Sequence, residues 1–276
     1  MKRGRLDGKT ALITGGGKGI GRETARVLAD LGARIFISGR SEDALAAAVG
    51  HLRSSGAEAD YITADVRDPE ACLRTIEFVK AEAGRLDILV NNAGMSMRGP
   101  LEATDPGVIR SMMEINFLGA AYMARYAIPL LKESRGSVVF ISSLSALHGL
   151  PFIAPYGSSK LALRGLTESL RAELGPSGVH AGIIYVGFTE NDPGKVIYGQ
   201  DGNLSVLAGR RNSHTQDQAA RAIVRAILRR KPSTTLTAIG RISAIVFRFF
   251  PGLSDRAISA FAGRSGMYGI EKDSKE

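Results

Sequence analysis

Tyr156 and Lys160 stand four residues apart in the run Tyr156-Gly157-Ser158-Ser159-Lys160. In a helix that spacing puts both side chains on one face, where the ammonium can approach the phenol. A phenol with a pKa near 10 is a poor acid or base at neutral pH, and a neighbouring cation stabilises the phenolate and brings the group toward the working range. Thirteen positions before the tyrosine lies Ser143, whose hydroxyl can polarise a substrate oxygen, and further upstream Asn116 lies on a helical segment. Each has a purely structural alternative: a surface cation for Lys160, a strand-end cap for Ser143, a helix-kink residue for Asn116. Ser142 is the neighbour most easily confused with Ser143, and Asp87 and Asn92 are as compatible with structural as with functional roles.

A second constellation sits near the N-terminus, where an apolar run delivers Thr14-Gly15-Gly16-Gly17-Lys18-Gly19-Ile20-Gly21 into a segment of helical pattern. Gly15, Gly19 and Gly21 permit a tight turn and close backbone approach, while Gly17, Lys18 and Ile20 complete the loop. The free N–H groups and positive dipole end of the following helix suit a pyrophosphate. A dinucleotide is therefore the expected ligand. The next strand ends Ile37-Ser38-Gly39-Arg40-Ser41 without the acid that usually binds the ribose hydroxyls of NAD. Arg40 and Lys18 can instead pair with a 2′-phosphate, which points to NADP(H), unless both are simply solvated surface cations.

These residues need a scaffold that brings loop ends together. Apolar, β-branched runs at 10–14, 33–38, 60–63, 87–91, 137–142 and 179–185 alternate with helical patterns. Such alternation predicts an α/β fold, a doubly wound parallel sheet of Rossmann type with helices on both faces. The whole chain, 1–276, reads as one domain, with a core over 5–185. A Gly/Asn/Asp-rich stretch over 186–214 reads as a mobile substrate loop, and 215–276 as C-terminal helices and tail. Thr215 with Gln218 three residues on makes a capping-box pattern for the first of those helices.

In order and spacing these motifs resemble the short-chain dehydrogenase/reductase family over about residues 8 to 190: the Thr-Gly-x-x-x-Gly-x-Gly loop, Asp65-Val66, Asn91-Asn92-Ala93-Gly94, Asn116, Ser143 and Tyr156-x-x-x-Lys160. The resemblance implies that Tyr156 exchanges the proton, that Lys160 holds the nicotinamide ribose and lowers the tyrosine pKa, that Ser143 orients the carbonyl, and that Asn116 positions a water in a proton relay. It further implies that Asp65 and Val66 frame the adenine, that Asn91, Ala93 and Gly94 line the cofactor cleft, and that the protein is a homo-oligomer. The family's Pro-Gly pair before a carboxamide-binding threonine is replaced by Val186-Gly187-Phe188-Thr189, and the usual register falls nearer Asn191 than Thr189. Its C-terminal strand followed by Asp-Gly-Gly is absent from the sequence pattern.

The net charge of +9 is concentrated after residue 194, which fits an anionic membrane or nucleic acid partner and equally a solvated basic face. No nucleic-acid motif with interleaved exposed aromatics accompanies it, so no nucleic acid partner is expected. A single cysteine, Cys72, excludes an intramolecular disulfide, and no metal-ligand spacing surrounds it. No secretory signal is read, and a cytoplasmic protein is expected, peripheral at a membrane if its tail touches one. Arg241 to Phe250 combines Arg241 and Arg248 with Ile and Phe ahead of Pro251, too short to span a bilayer. As a C-terminal apolar helical extension it fits an interfacial helix, a lid, a core element or a dimer contact. The composite expectation is an NADP(H)-dependent oxidoreductase acting on a lipophilic carbonyl or alcohol. The alternative is an inactive nucleotide-sensing or membrane-associated protein of the same fold.

Overall fold

The computed structural model describes residues 4–187, 189–190, 192, 194–207 and 214–264, with the backbone alone at 238, 239, 248 and 261–264. Expectations that fall on Phe188 and Asn191, or on the side chain of Arg248, lie outside the described residues.

Strands and helices alternate through the first two thirds of the chain: β1 (Thr10–Thr14), α1 (Gly19–Ala29), β2 (Arg34–Gly39), α2 (Glu42–Ser54), β3 (Ala59–Thr63), α3 (Pro69–Ala83), β4 (Ile88–Asn91), α4 (Pro106–Met113), α5 (Gly119–Ser134), β5 (Ser137–Ser143), α6 (Ala154–Leu174) and β6 (His180–Val186). There follow a hairpin of β7 (Val196–Tyr198) and β8 (Leu204–Val206), then α7 (Gln216–Leu228), β9 (Ser233–Thr235), α8 (Ala238–Phe249) and α9 (Pro251–Arg264). Local chemistry sets several of the starts. Ser41 and Asp68 cap α2 and α3 with their side chains, Pro69 opens α3, and the Thr215–Gln218 capping box at α7 is present in full.

Seven strands form one parallel sheet in the order β3-β2-β1-β4-β5-β6-β9. Alternate residues of each strand face opposite layers. Ile13, Ile37, Val90 and Ile141 pack against α1, α2 and α7, whereas Leu12, Phe36, Leu89 and Phe140 pack against α3, α5 and α6. Full burial of such side chains contributes about 1.5–3 kcal/mol each, which is why the strands read as unbroken apolar runs. The strand order reverses between β1 and β4. Connections therefore leave those two strands in opposite directions and open a crevice at their carboxyl ends, the place where such sheets bind ligands.

Two expectations change. The 186–214 stretch is not an unstructured loop throughout, because β7 and β8 pair antiparallel across a turn in which Gly202 takes φ +84° and Asp201 accepts from the Asn203 N–H. Tyr198 joins this hairpin to the segment after β4, donating its N–H to Ser96 O and accepting from the Arg98 N–H. A last parallel strand exists after all. Ser233–Thr235 pairs with Ile183–Tyr185 without any Asp-Gly-Gly sequence. Being short, polar and at the sheet edge, it carries no apolar run to betray it.

Candidate active site

Three glycines shape the turn after β1. Gly15 and Gly19 adopt left-handed backbone conformations, with φ +65° and +59°. Gly21 is needed for space, since a Cβ there would lie 2.3 Å from the Gly15 carbonyl oxygen and 2.5 Å from Asn92 Nδ2. The loop is latched from β4. Asn92 Nδ2 donates to the Thr14 and Gly15 carbonyls, and the Thr14 hydroxyl oxygen accepts from the Asn92 and Ala93 N–H groups. Lys18, at the N-cap of α1, provides no side-chain cap to the helix, and no acidic residue occupies its first turn. The turn is thus a backbone cradle with uncapped N–H donors at a helix N-terminus, and it fits the pyrophosphate of a dinucleotide.

The cradle opens into a cavity of about 600 Å³. Gly15, Gly17, Lys18, Gly19, Ile20 and Gly21 line one end, with Arg40 at the end of β2. Ala93 and Gly94 line the middle; Ser143, Tyr156, Lys160 and Thr189 line the other end. Lys160 is buried beneath that end and donates from Nζ to the Ile141 carbonyl at 3.0 Å. Burial, with a smaller contribution from the charge of Lys195, pushes its pKa down from the usual lysine value to about 8. The two serines of β5 divide their work. Ser142 Oγ donates to the Lys160 carbonyl at 2.9 Å and so straps α6 to the strand, whereas Ser143 Oγ accepts from the Ser145 N–H; both residues line the cavity.

Asn116 lies fully buried within a π-helical turn, Glu114–Leu118, that joins α4 to α5. Its Oδ1 accepts from the Met95 N–H, and its Nδ2 donates to the Met95 carbonyl at 2.9 Å and to Ser159 Oγ at 3.0 Å. A Cβ on Gly94 would lie 2.9 Å from Asn116 Oδ1 and 3.0 Å from Lys160 Nζ, so only glycine lets both groups pack this closely against the chain there. The amide has its side-chain hydrogen bonds within the protein, and it fixes the Gly94–Met95 wall.

The sequence pattern of the family described as short chain dehydrogenase matches residues 9–198. The chain belongs to the short chain dehydrogenase family. Its relatives include a short chain dehydrogenase of Pseudocercospora fijiensis, 34% identical over 70% of this chain and 63% of that protein. They also include the 11-beta-hydroxysteroid dehydrogenase A of Sesamum indicum, 33% identical over 86% of this chain and 70% of the relative. Among solved structures, the citronellol catabolism dehydrogenase of Pseudomonas aeruginosa aligns with a TM-score of 0.73 at 26% identity, covering 85% of this chain and 95% of that one. The family consists of oxidoreductases that use nicotinamide cofactors.

Within this short chain dehydrogenase, Asp65, Val66, Asn91 and Asn116 do not line the cavity as described. Arg67 binds the Asp65 carboxylate with its side chain at 2.6 Å and with its N–H. Burial alone would raise the Asp65 pKa, but these bonds and the nearby Arg40 hold it below the usual carboxylate range. Val66 packs against Gly119, and Asn91 is buried in the sheet. Asp87 sits at the opposite end of the sheet, bound to Lys9, Arg85 and the Thr10 N–H, so its role is structural. Asn92 lines the cavity, with its Nδ2 holding the glycine loop.

Among the described residues, three charged residues of the 186–214 segment that line the cavity escaped the sequence reading, Glu190, Asp192 and Lys195, and Glu190 Oε1 accepts from the Gln216 N–H. Lys195 lines the cavity and bears on Lys160 electrostatically. Asp192 places Oδ2 3.1 Å from where a Gly19 Cβ would stand, held there by Gln216 Nε2 at 3.1 Å. None of them belongs to a periodic pattern or a recognised spacing, and only the return of the chain over the cradle brings them in.

Proposed function

We propose that this dehydrogenase interconverts a carbonyl and a secondary alcohol on a lipophilic substrate, with NADP(H) as cofactor and Tyr156 as acid/base. The observation that carries the reading is the sharing of one cavity by the glycine cradle, Ser143 and Tyr156, with the buried ammonium of Lys160 one helical turn from the phenol. When bound, the nicotinamide supplies or accepts the hydride. The chain's own residues handle the oxygen: Ser143 Oγ donates a hydrogen bond to it, the Tyr156 hydroxyl gives up its proton to it in reduction and takes it back in oxidation, and the Lys160 cation stabilises the phenolate left behind. With a pKa of about 8, Lys160 is still mostly charged at neutral pH.

The preference for NADP(H) is supported by Arg40 and Lys18, which line the same end of the cavity as the cradle. The acidic residues nearest in sequence, Glu42 and Asp43, turn into the first turn of α2 and do not line the cavity. An apolar substrate is supported by Leu144, Leu150, Ile153, Val196 and Ile197 on the wall beyond Tyr156. Two relatives are named for apolar compounds, a hydroxysteroid and citronellol. On this reading the protein works as a homo-oligomer.

Tyr156→Phe tests the reading through NADPH oxidation over a panel of carbonyl compounds. Turnover should fall at least roughly 10²-fold while NADPH affinity stays unchanged. Undiminished turnover in the Phe variant would refute the assignment of the acid/base.

A further inference from the structure

The two C-terminal helices leave several large apolar side chains on the outside. Ile242, Ile245 and Phe249 recur at helical spacing on one face of α8, and Phe250 and Leu253 follow at its junction with α9; each is more than half exposed. Five exposed apolar side chains of this size within twelve residues mark a candidate contact surface. The charge of the segment is one-sided: between 238 and 264 the sequence has Arg241, Arg248, Arg256 and Arg264 against the single acid Asp255. That acid is already engaged, with its Oδ1 3.0 Å from His148 Nε2.

The same helices are fastened to the rim of the cavity. His148 also stacks on Phe247 with ring centroids 4.6 Å apart. Gly240, near the start of α8, fits against Leu144, since a Cβ there would lie 2.7 Å from Leu144 Cδ2, and Gly187 abuts both Thr237 and Leu144. Leu144 and Gly187 line the cavity, and Leu144 directly follows Ser143.

We infer that α8 and α9 rest on an anionic lipid surface through Ile242, Ile245, Phe249, Phe250 and Leu253, and that apolar substrate passes from that surface into the cavity beside Leu144. Neither helix reaches the length of a span, and among the described residues no helix is long and apolar enough to cross a membrane. Apolar burial and attraction of the arginines to acidic headgroups act together at an interface. A second copy is the poorer occupant, because a two-fold contact through this face would bring its arginines toward their own counterparts. The route for substrate rests on the reductase reading, whereas the docking does not.

The test is co-sedimentation of the full chain with vesicles of phosphatidylcholine alone and of phosphatidylcholine with phosphatidylglycerol, paired with steady-state kinetics. Binding should require the anionic lipid and weaken with salt. The double variant Phe250→Glu/Leu253→Glu should lower the partition coefficient on the order of a hundredfold, as expected when two side chains are no longer buried. It should also raise KM for a long-chain ketone presented in those vesicles and leave kcat/KM for a small water-soluble carbonyl unchanged. Arg241→Glu/Arg256→Glu, which spares the apolar face, should abolish the dependence on phosphatidylglycerol, and unchanged thermal midpoints show that both variants fold. Failure to bind anionic vesicles, or undiminished binding by the Glu variants, overturns the inference. Dissociation of an oligomer by these variants overturns it in favour of an interface between copies. If no carbonyl is turned over while vesicle binding behaves as expected, the reductase reading fails and the docking surface stands.

Discussion

Replacing Lys160 with Met should abolish turnover, yet leave the cofactor-free protein nearly as stable as the wild type at neutral pH. Lys160 is buried, and its ammonium donates to the Ile141 carbonyl at 3.0 Å. Desolvation, with Lys195 adding to it, lowers the pKa from 10.5 to about 8. Because the folded pKa lies below the unfolded one, the native state binds this proton less tightly than the unfolded chain does. At pH 7 both states are protonated, and the native state carries the full cost, about 3 kcal/mol. As pH rises through 8 toward 10.5 the native state sheds the proton first, so that by pH 10 the cost is under about 1 kcal/mol. Methionine removes that cost but deprives the Ile141 carbonyl of a donor, about 1–3 kcal/mol at either pH. The two effects nearly cancel at pH 7. At pH 10 the wild type should be the more stable by about 2 kcal/mol, following from the same two terms. Urea unfolding of both proteins at the two pH values measures the change, with the titrations they share cancelling in the difference. A stability difference that does not move with pH would refute the claim that burial holds Lys160 at a cost. Turnover of the Met variant should fall at least about 10²-fold at both pH values.

Arg40→Asp should reverse the preference for NADPH over NADH by at least about tenfold, through loss of a charge-assisted hydrogen bond and repulsion of the 2′-phosphate; fluorescence titration of both cofactors checks it, and an unchanged ratio makes Arg40 a bystander. Asp192→Asn should tighten NADP(H) binding up to about tenfold at low salt, because its carboxylate lies over Gly19 at the phosphate cradle; calorimetry that finds no change would mean the carboxylate is not opposed to the phosphates in the complex. Ser143→Ala should lower kcat/KM by roughly 10²-fold with an unchanged thermal midpoint. Ser142→Ala should leave catalysis intact and cost about 1–2 kcal/mol of stability, since the Lys160 carbonyl loses its hydroxyl donor. The opposite pattern in the two alanine variants would exchange the roles of the serines.

The sequence by itself determined the α/β class, the six core strands to within a residue or so, the capping box at Thr215 and the loop-and-helix spacing of the candidate site. These features are written in local periods: apolar runs buried on both faces, glycines needed for φ or for space, and a four-residue interval on one helix face. It singled out Ser143 by the thirteen-residue spacing to Tyr156, but it could not show what engages the neighbouring Ser142, which the packing of α6 ties to the Lys160 carbonyl. Nor could it assign Asn92 to the latch on Gly15, show that the Asn116 side chain closes on Met95 and Ser159, or bring Asp192 over Gly19 and Lys195 near Lys160. The short strand Ser233–Thr235 was hidden for the same reason as the contact of α8 with Leu144. Each depends on residues distant in the chain, whose meeting is decided by how the layers close around the sheet and not by any local pattern of residue types.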